Sequence, residues 1–221
     1  MKVSIVIPAY NEEKHIEKVL RKLKKLKEVG EIIVVDDGST DKTAVIAERH
    51  AKVVSYGENK GKGYAMRYGA SRASYDYVVF FEGDDQLYVE DVKKAVALLE
   101  SGCDLVFGVR DLGVIPWPRR VNNVLTTLAL FLATGRIIRD PLSGFMGADK
   151  RKFLNLRLKE DRFNIECEIR FKAVKNKLKY CWFPERVKYH EKKAFKFNKL
   201  GWRQSALIIA FLVKLVLVRR V

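Results

Sequence analysis

Three short polar clusters stand out in this sequence. Their residue types and spacing would allow them to bind an anionic substrate and a metal ion. They read Pro8-Ala9-Tyr10-Asn11-Glu12, Asp36-Asp37-Gly38-Ser39 and Glu82-Gly83-Asp84-Asp85-Gln86. In the third cluster, carboxylates follow an apolar run, in a turn where they could share a hard divalent cation with a diphosphate. Neighbouring aspartates in a turn are also common as solvated turn formers, so the spacing alone leaves both interpretations open.

The second cluster predicts a helix start and, beside it, two carboxylates without a structural role. Ser39, Thr40 or Asp41 could cap the helix that follows. Because a cap needs one of these residues, Asp36 and Asp37 remain to accept hydrogen bonds from a base or a ribose. The loop at 57–63 has lysines between glycines and could approach phosphate, but it lacks the full spacing of a phosphate-binding loop, and a mobile basic loop is an equal alternative.

Alternating apolar runs and helical patterns position these clusters. The apolar runs cover residues 3–7, 32–35, 52–55, 77–81 and 104–109, and the helical patterns cover 16–29, 41–51, a segment after 61–63, and 89–99. This alternation predicts a mainly parallel sheet with helices on both faces. Ligands of such sheets lie beyond the carboxyl ends of the strands, where all three clusters fall.

Composition and charge narrow the class of protein. The chain has 221 residues, 48% hydrophobic and 32% charged, which excludes disordered, collagen-like and repeat classes. Its formal net charge of +16 favours phosphates, anionic lipid or acidic polymers as partners. An abundance of lysine is equally typical of heat-adapted proteins, whose charges are largely a solvated surface.

The cysteines and the N-terminus indicate an intracellular protein. Cys103, Cys167 and Cys181 are odd in number and lack metal-ligand spacing, which argues against a disulfide framework and against structural zinc. We expect free thiols in a reducing cytosol. The N-terminus does not have the layout of a signal peptide, and no uncharged stretch reaches the roughly 18 residues of a membrane span.

Taken in order, the three clusters and their flanking strands resemble the family 2 glycosyltransferases. The later strings Asp104-Leu105-Val106-Phe107-Gly108-Val109-Arg110 and Asp140-Pro141-Leu142-Ser143-Gly144-Phe145 resemble the dolichol-phosphate mannosyltransferase branch. The resemblance implies the GT-A nucleotide-diphospho-sugar transferase fold, as one catalytic domain over 1–200. Residues 1–111 would form its nucleotide-binding half and 112–200 its acceptor half. Residues 201–221 would form an amphipathic helix that docks on a membrane or packs on the protein.

The resemblance also implies roles for individual residues. The nucleotide-sugar pocket would be lined by Pro8, Tyr10, Glu12, Val35, Asp37, Gly83, Asp84 and Gln86. The metal, Mg²⁺ or Mn²⁺, would be held by Glu82, Asp84 and Gln86. The diphosphate or the acceptor phosphate would be faced by Arg110, Arg119, Arg120, Lys193 and Lys199. Lys193 and the pair Asn198-Lys199 stand where the branch has an arginine and a serine-lysine pair. A lysine cannot bind phosphate bidentately as arginine does.

The acceptor decides which catalytic groups an inverting enzyme needs. Transfer to a hydroxyl requires a base, for which Asp140, Glu166 and Glu168 are the candidates, with a helix face as the favoured interpretation of Glu166. A lipid phosphate is already anionic and needs none, so catalysis would depend on positioning and on charge neutralisation by the metal at Asp84 and by Arg110.

The second half suggests a lipid acceptor. The apolar residues Leu125, Leu128, Ala129, Phe131 and Leu132 are flanked by Arg119, Arg120, Arg136 and Arg139. Basic residues beside an apolar stretch are typical of a helix lying on anionic lipid. Residues 205–218 have the same character, and a core or dimer helix is an equal alternative for them.

The resemblance, together with these observations, predicts a metal-dependent inverting transferase at the inner face of the cell membrane. It would move a hexose, with mannose favoured, from GDP-mannose or a UDP-sugar to polyprenyl (dolichyl) phosphate. One alternative is a family relative acting on a glycan hydroxyl in polysaccharide or glycoprotein assembly. A basic nucleic-acid-binding module is the alternative outside enzymes, although no recognisable DNA- or RNA-binding motif is present and we expect no nucleic-acid partner.

Overall fold

The computed structural model describes residues 1–162 and 164–188 of the chain. The strands are β1 (Val3–Ala9), β2 (Val29–Asp36), β3 (Lys52–Ser55), β4 (Tyr77–Phe80), β5 (Leu105–Arg110), β6 (Met146–Asp149) and β7 (Tyr180–Glu185). The helices are α1 (Ile16–Leu23), α2 (Thr43–Glu48), α3 (Lys62–Arg72), α4 (Asp91–Glu100), α5 (Trp117–Thr134), α6 (Lys150–Asn155) and α7 (Ile165–Lys175). The helix expected at 201–221 lies outside the described residues.

The seven strands form one sheet in the order β3-β2-β1-β4-β6-β5-β7. All neighbouring pairs are parallel except those of β6, which runs antiparallel to both β4 and β5. The expectation of an α/β fold with a mainly parallel sheet is therefore confirmed.

Helices cover both faces of the sheet because successive residues of each central strand point to opposite sides. In β1, Ile5 and Ile7 join a core cluster formed with α1, α2 and α4, whereas Val6 joins a second cluster formed with α3, α6 and α7. Helix α5 packs outside this arrangement, with Leu130 in contact with Cys167 of α7.

One expectation about element bounds is corrected. The helical pattern at 16–29 ends as a helix at Leu23, because Val29 already pairs with Val3 of β1 and begins β2. Sequence reasoning also missed β6 and β7. The first contains Gly147 and Asp149, residue types that are depleted in strands, and the second contains Pro184 and alternates between buried and exposed positions at its end.

The expectation that all three cysteines are free is wrong. Cys103 and Cys181 form a disulfide with a Cα–Cα distance of 6.0 Å, and only Cys167 is a free, buried thiol. The two half-cystines are 78 positions apart in the chain, and they meet because β5 and β7 are parallel neighbours. Spacing along the sequence did not contain that information.

Candidate active site

The loop after β3 is fixed by Asp37 at the carboxyl end of β2. The Asp37 carboxylate accepts hydrogen bonds from the backbone N–H of Lys60 at 2.8 Å and of Gly61 at 2.9 Å, and from the Tyr56 hydroxyl at 2.7 Å. Burial and this carboxylate raise the pKa of Tyr56, so the phenol stays a donor. Asp36 accepts from the backbone N–H of Ser39 at 3.3 Å. Both aspartates thus have structural partners, contrary to the expectation.

The other predicted nucleotide contacts differ in exposure. Tyr10 is 47% exposed at the end of β1, and Pro8 and Glu12 are half-buried beside it. Val35 is fully buried against Gly69 of α3, where an added Cβ would lie 2.8 Å from its side chain. Its side chain therefore belongs to the core, and only its backbone could face a ligand.

A buried lysine holds Glu82, the first acidic residue after β4. The Lys62 ammonium lies 2.7 Å from carboxylate oxygens of both Glu82 and Glu166, which bridges the turn after β4 to α7. The Lys62 charge holds the pKa of Glu82 below its ordinary value, so Glu82 is ionised and already paired. Glu82 is thus bound to an ammonium group, which sets it apart from the metal role that the resemblance implied for it.

The turn that carries Asp84 is stabilised by its own residues and by α1. The Asp84 carboxylate accepts hydrogen bonds from the backbone N–H of Gln86 at 3.1 Å and from the Gln86 side-chain amide. Asp85, at a φ of 57° and 3% exposed, pairs with Lys18 at 2.6 Å and Lys22 at 2.8 Å. Although burial acts in the opposite direction, these ammonium groups hold the pKa of Asp85 below its ordinary value. Sequence reasoning had not singled out this anchoring role of Asp85.

The turn offers oxygen ligands that suit a divalent cation, but the chain supplies only some of the ligands that such a cation needs. Carboxylate and amide oxygens, as on Asp84 and Gln86, are hard ligands preferred by Mg²⁺ and Mn²⁺. Over residues 1–162 and 164–188, no group of three or more His, Cys, Asp and Glu side chains is gathered as a metal site. A cation here would need further ligands from a substrate diphosphate and from water.

Arg110 and Asp140 form a buried, bidentate ion pair at the carboxyl end of β5. Nε and Nη2 of Arg110 donate to the two carboxylate oxygens of Asp140 at 2.8 and 2.7 Å, and the backbone N–H of Arg110 donates at 2.9 Å. The amide of Asn123 on α5 donates to the same carboxylate. Burial alone would raise the pKa of Asp140, but Arg110 holds it below its ordinary value. An acid held ionised so firmly is a weak base.

The second candidate base, Glu168, is also engaged. Its carboxylate accepts hydrogen bonds from the backbone N–H groups of Lys159 and Glu160 at 2.8–2.9 Å and pairs with Lys172 at 2.8 Å. Glu168 is 4% exposed. It therefore anchors the loop before α7, and proton abstraction would require it to leave these donors.

The remaining predicted cations lie at the start of α5 or outside the described residues. Arg119 is exposed and contributes to lowering the pKa of Glu82, so its charge lies on the side of the site. Arg120 donates to the backbone carbonyls of Gly113 at 3.3 Å and Ile115 at 3.2 Å. Lys193 and Lys199 lie outside the described residues.

An apolar cavity of about 490 Å³ opens beside the Arg110–Asp140 pair, between α5 and the end of β5. It is lined by Val109, Arg110, Leu112, Asn123, Val124, Thr127, Leu128, Phe131, Ile137, Arg139 and Asp140. The outer face of α5 is also apolar: Val124, Leu128 and Leu132 are 52, 52 and 57% exposed. Among the described helices, α5 included, none is both long and apolar enough to cross a bilayer.

Comparisons with known proteins agree on the family. Residues 4–156 match the family model described as glycosyl transferase family 2. The chain is 34% identical over 204 residues to an uncharacterized protein of Methanocaldococcus jannaschii, covering 84% of this chain and 88% of that protein. It is 31% identical over 192 residues to a dolichol-phosphate mannosyltransferase of Pyrococcus furiosus, covering 80% of this chain and 54% of that enzyme.

A solved structure shares the fold. The chain is similar to glucosyl-3-phosphoglycerate synthase from Mycobacterium tuberculosis, in a complex with Mn²⁺, uridine diphosphate and phosphoglyceric acid. The TM-score is 0.77 at 25% identity, over 97% of this chain and 78% of that one. The expected GT-A fold is thereby confirmed.

Proposed function

Because the chain belongs to glycosyl transferase family 2, we propose that it transfers a hexose from a nucleoside-diphosphate sugar to a polyprenyl phosphate, with GDP-mannose favoured as donor. It is a glycosyltransferase, and the choice of acceptor rests on one observation. An apolar cavity adjoins a bidentate arginine–carboxylate pair at the carboxyl edge of the sheet. The similarity to a dolichol-phosphate mannosyltransferase supports the same acceptor class, although the chain spans 54% of that enzyme's length.

The cavity provides both kinds of contact that a polyprenyl phosphate needs. Arg110 is one of the lining residues beside Asp140, and the charge of its guanidinium group would attract the phosphate. Leu128 and Phe131 line the apolar wall along which the first isoprene units would lie. Burial of that chain against α5 would contribute about 25 cal/mol per Å² of apolar surface.

The engaged carboxylates also favour a phosphate over a hydroxyl as acceptor. Asp140 is held ionised by Arg110, and Glu168 is bound by two backbone N–H groups and Lys172. Neither is suited to remove a proton. A phosphate oxygen is already anionic and can attack the anomeric carbon directly, as the bond from that carbon to the nucleotide's β-phosphate oxygen breaks and the configuration inverts.

The donor would lie along the carboxyl ends of β1, β2 and β4. Tyr10 and the backbone at Asp37 would face the nucleoside, and Asp84 and Gln86 would hold a Mg²⁺ or Mn²⁺ ion. When bound, the cation neutralises charge on the departing diphosphate. Lys18 and Lys22 keep the turn in place through Asp85.

The exposed face of α5 would hold the enzyme on the cytoplasmic leaflet, where the lipid acceptor is found. Apolar side chains such as Leu128 and Leu132 are about half exposed, and Arg136 and Arg139 at the end of this helix are exposed basic residues. Such a face suits shallow insertion into anionic lipid.

Calorimetric titration with GDP and UDP, with and without Mn²⁺, tests the donor site. We expect metal-dependent binding of one nucleotide and its loss in Asp84→Ala. Asp76→Ala is the matched control, since Asp76 is exposed at the opposite end of β4. Transfer of labelled hexose to dolichyl phosphate tests the acceptor. Metal-independent binding, an unaffected Asp84→Ala variant, or transfer to a sugar hydroxyl alone would each contradict the proposal.

A further inference from the structure

Glu185, the last residue of β7, is a buried carboxyl group behind the Arg110–Asp140 pair. It is 6% exposed and lies opposite Arg110 in the parallel register of β5 and β7. Its side chain lies over Gly108, where an added Cβ would be 2.6 Å from Oε2. The Ser143 hydroxyl donates a hydrogen bond to the same oxygen. Glycine at 108 leaves the space that this carboxyl group occupies.

Ser143 connects Glu185 to the ion pair through a short segment. Ser143 N–H donates to the Asp140 carbonyl at 3.1 Å, and the Ser143 hydroxyl accepts from Phe145 N–H at 3.3 Å. The guanidinium of Arg170 donates to the Ser143 carbonyl at 3.1 Å. The Glu185 side chain is therefore one of the contacts that hold the 140–145 segment, and with it the carboxylate that orients Arg110.

We propose that Glu185 is a positioning residue of the transfer site, which acts through Ser143 on the Asp140–Arg110 pair and whose charge controls how strongly Arg110 attracts an anionic acceptor. This inference rests on the proposed function, because it assigns Arg110 to the acceptor phosphate.

The charges around the site determine the direction of the effect. Lys62 pairs with both Glu82 and Glu166, and Arg110 pairs with Asp140. Within the described residues, Glu185 forms no ion pair. Three charged groups act on Glu185: Arg110 on β5, Asp140 after α5 and Glu82 after β4. Two further cations lie nearby: Arg170 on α7 donates to the Ser143 carbonyl, and Lys94 on α4 donates to the Pro184 carbonyl.

Because the Glu185 carboxyl group is buried and has no ion-pair partner among the described residues, it keeps its proton up to nearly neutral pH. Burial raises the pKa of Glu185 to about 7, against the opposing effects of Ser143 and Arg110. When Glu185 loses that proton, a second negative charge faces Arg110 beside Asp140. The attraction of Arg110 for a phosphate then weakens, so acceptor binding should decline as the pH rises above neutrality.

The test is calorimetric binding of farnesyl phosphate, a short water-soluble probe, from about pH 6 to about pH 8.5. The probe's own phosphate titrates near pH 6 for every variant, so the difference between variants isolates the protein group. For each variant we compare the dissociation constant at about pH 8.5 with that at about pH 6, and we expect this ratio to be about tenfold larger for the wild type than for Glu185→Gln. A factor of about ten is the effect of one carboxylate charge acting on the phosphate site over several ångströms. Glu48→Gln, which alters an exposed carboxylate on α2, should follow the wild type.

Ser143→Ala tests the connection separately, because it leaves the carboxyl group of Glu185 in place. We expect weaker binding below neutrality, with the decline displaced to higher pH because the Ser143 hydroxyl opposes the rise in the pKa of Glu185, and thermal unfolding verifies that each variant is folded. Equal pH dependence in the wild type and Glu185→Gln, or unchanged binding in Ser143→Ala, would overturn the inference while leaving the proposed function intact. No binding by the wild type at any pH would overturn the proposed acceptor, and the inference with it.

Discussion

Replacing Asp140 by asparagine should destabilise the protein strongly, because it removes the buried carboxylate that accepts from Nε and Nη2 of Arg110. The Asp140 side chain is 1% exposed and that of Arg110 is 14% exposed, so little solvent screens the pair. Removing one partner of a buried ion pair costs about 3–5 kcal/mol. Since Arg110 reaches the cavity, we expect the lower end of that range. This corresponds to a decrease in melting temperature of roughly 10 °C for a chain of this size.

Equilibrium unfolding in urea measures this cost, and two further variants define its origin. Asp161→Asn is the matched control, since Asp161 is 53% exposed in its pair with Arg67 and should contribute less than about 1 kcal/mol. Adding Arg110→Met to Asp140→Asn removes the cation that lost this carboxylate and should restore much of the lost stability. If Asp140→Asn costs no more than the control, or if the double variant is no more stable than the single one, the reasoning is refuted.

The same pair predicts a dependence on pH. Arg110 holds the pKa of Asp140 below its ordinary value, so the stabilisation is complete above the pKa of the unfolded chain, near 3.8. It is lost as the pH falls through the lower folded value. The stabilities of the wild type and of Asp140→Asn should therefore converge in acid.

Three further predictions concern other parts of the molecule. Cys103→Ser should lower the free energy of unfolding by about 4–5 kcal/mol under oxidising conditions, from the entropy of a closed loop of this length. When a reductant is present the loss should fall to about 1–2 kcal/mol, the cost of a hydroxyl at a position that is 3% exposed. Glu185→Gln should raise the free energy of unfolding, measured in urea, by about 3 kcal/mol at pH 8 and by little near pH 4. The reason is that the pKa of Glu185 is about 7 in the folded protein and 4.5 in the unfolded chain, so the wild type loses stability as the pH rises between these values. Leu128→Glu should reduce sedimentation of the protein with anionic vesicles several-fold. The control is Val45→Glu, at an equally exposed residue of α2, which should leave sedimentation unchanged. Equal losses in the two variants would refute the proposal that α5 docks on the membrane.

The elements that were predictable from the sequence are those whose signal is local. Strand β3 has the predicted bounds, Lys52–Ser55, because its apolar run is closed on both sides by polar or turn residues. Strand β6 was not predictable, because Met146–Asp149 contains Gly147 and Asp149, residue types that are depleted in strands, and no β-branched or aromatic residue. Its antiparallel direction follows from pairing with β4 and β5, which no local pattern reports.

The candidate site divides in the same way. The turn at Asp84 could be located from residue types directly after a strand. The contacts that hold its buried charged groups in place are long-range: Lys62 with Glu166, and Ser143 with Glu185. Neither pair has a sequence spacing that predicts contact. Asp36 and Asp37 were misjudged for a related reason, since their partners come from β3 and the loop after it.

The position of β5 between β6 and β7 has a consequence for the growing chain on the ribosome. Strands β1 to β4 can pair with one another as they emerge, because all four are made by residue 80, and only one edge of β4 then awaits β6. Strand β5 is made next, yet its two neighbours, β6 and β7, follow only at residues 146–149 and 180–185. During that interval both edges of an apolar strand are unpaired, the condition under which nascent chains associate with one another. A slow stretch of translation over residues 111–145 would therefore lengthen the period of greatest risk, and chaperone binding should concentrate there.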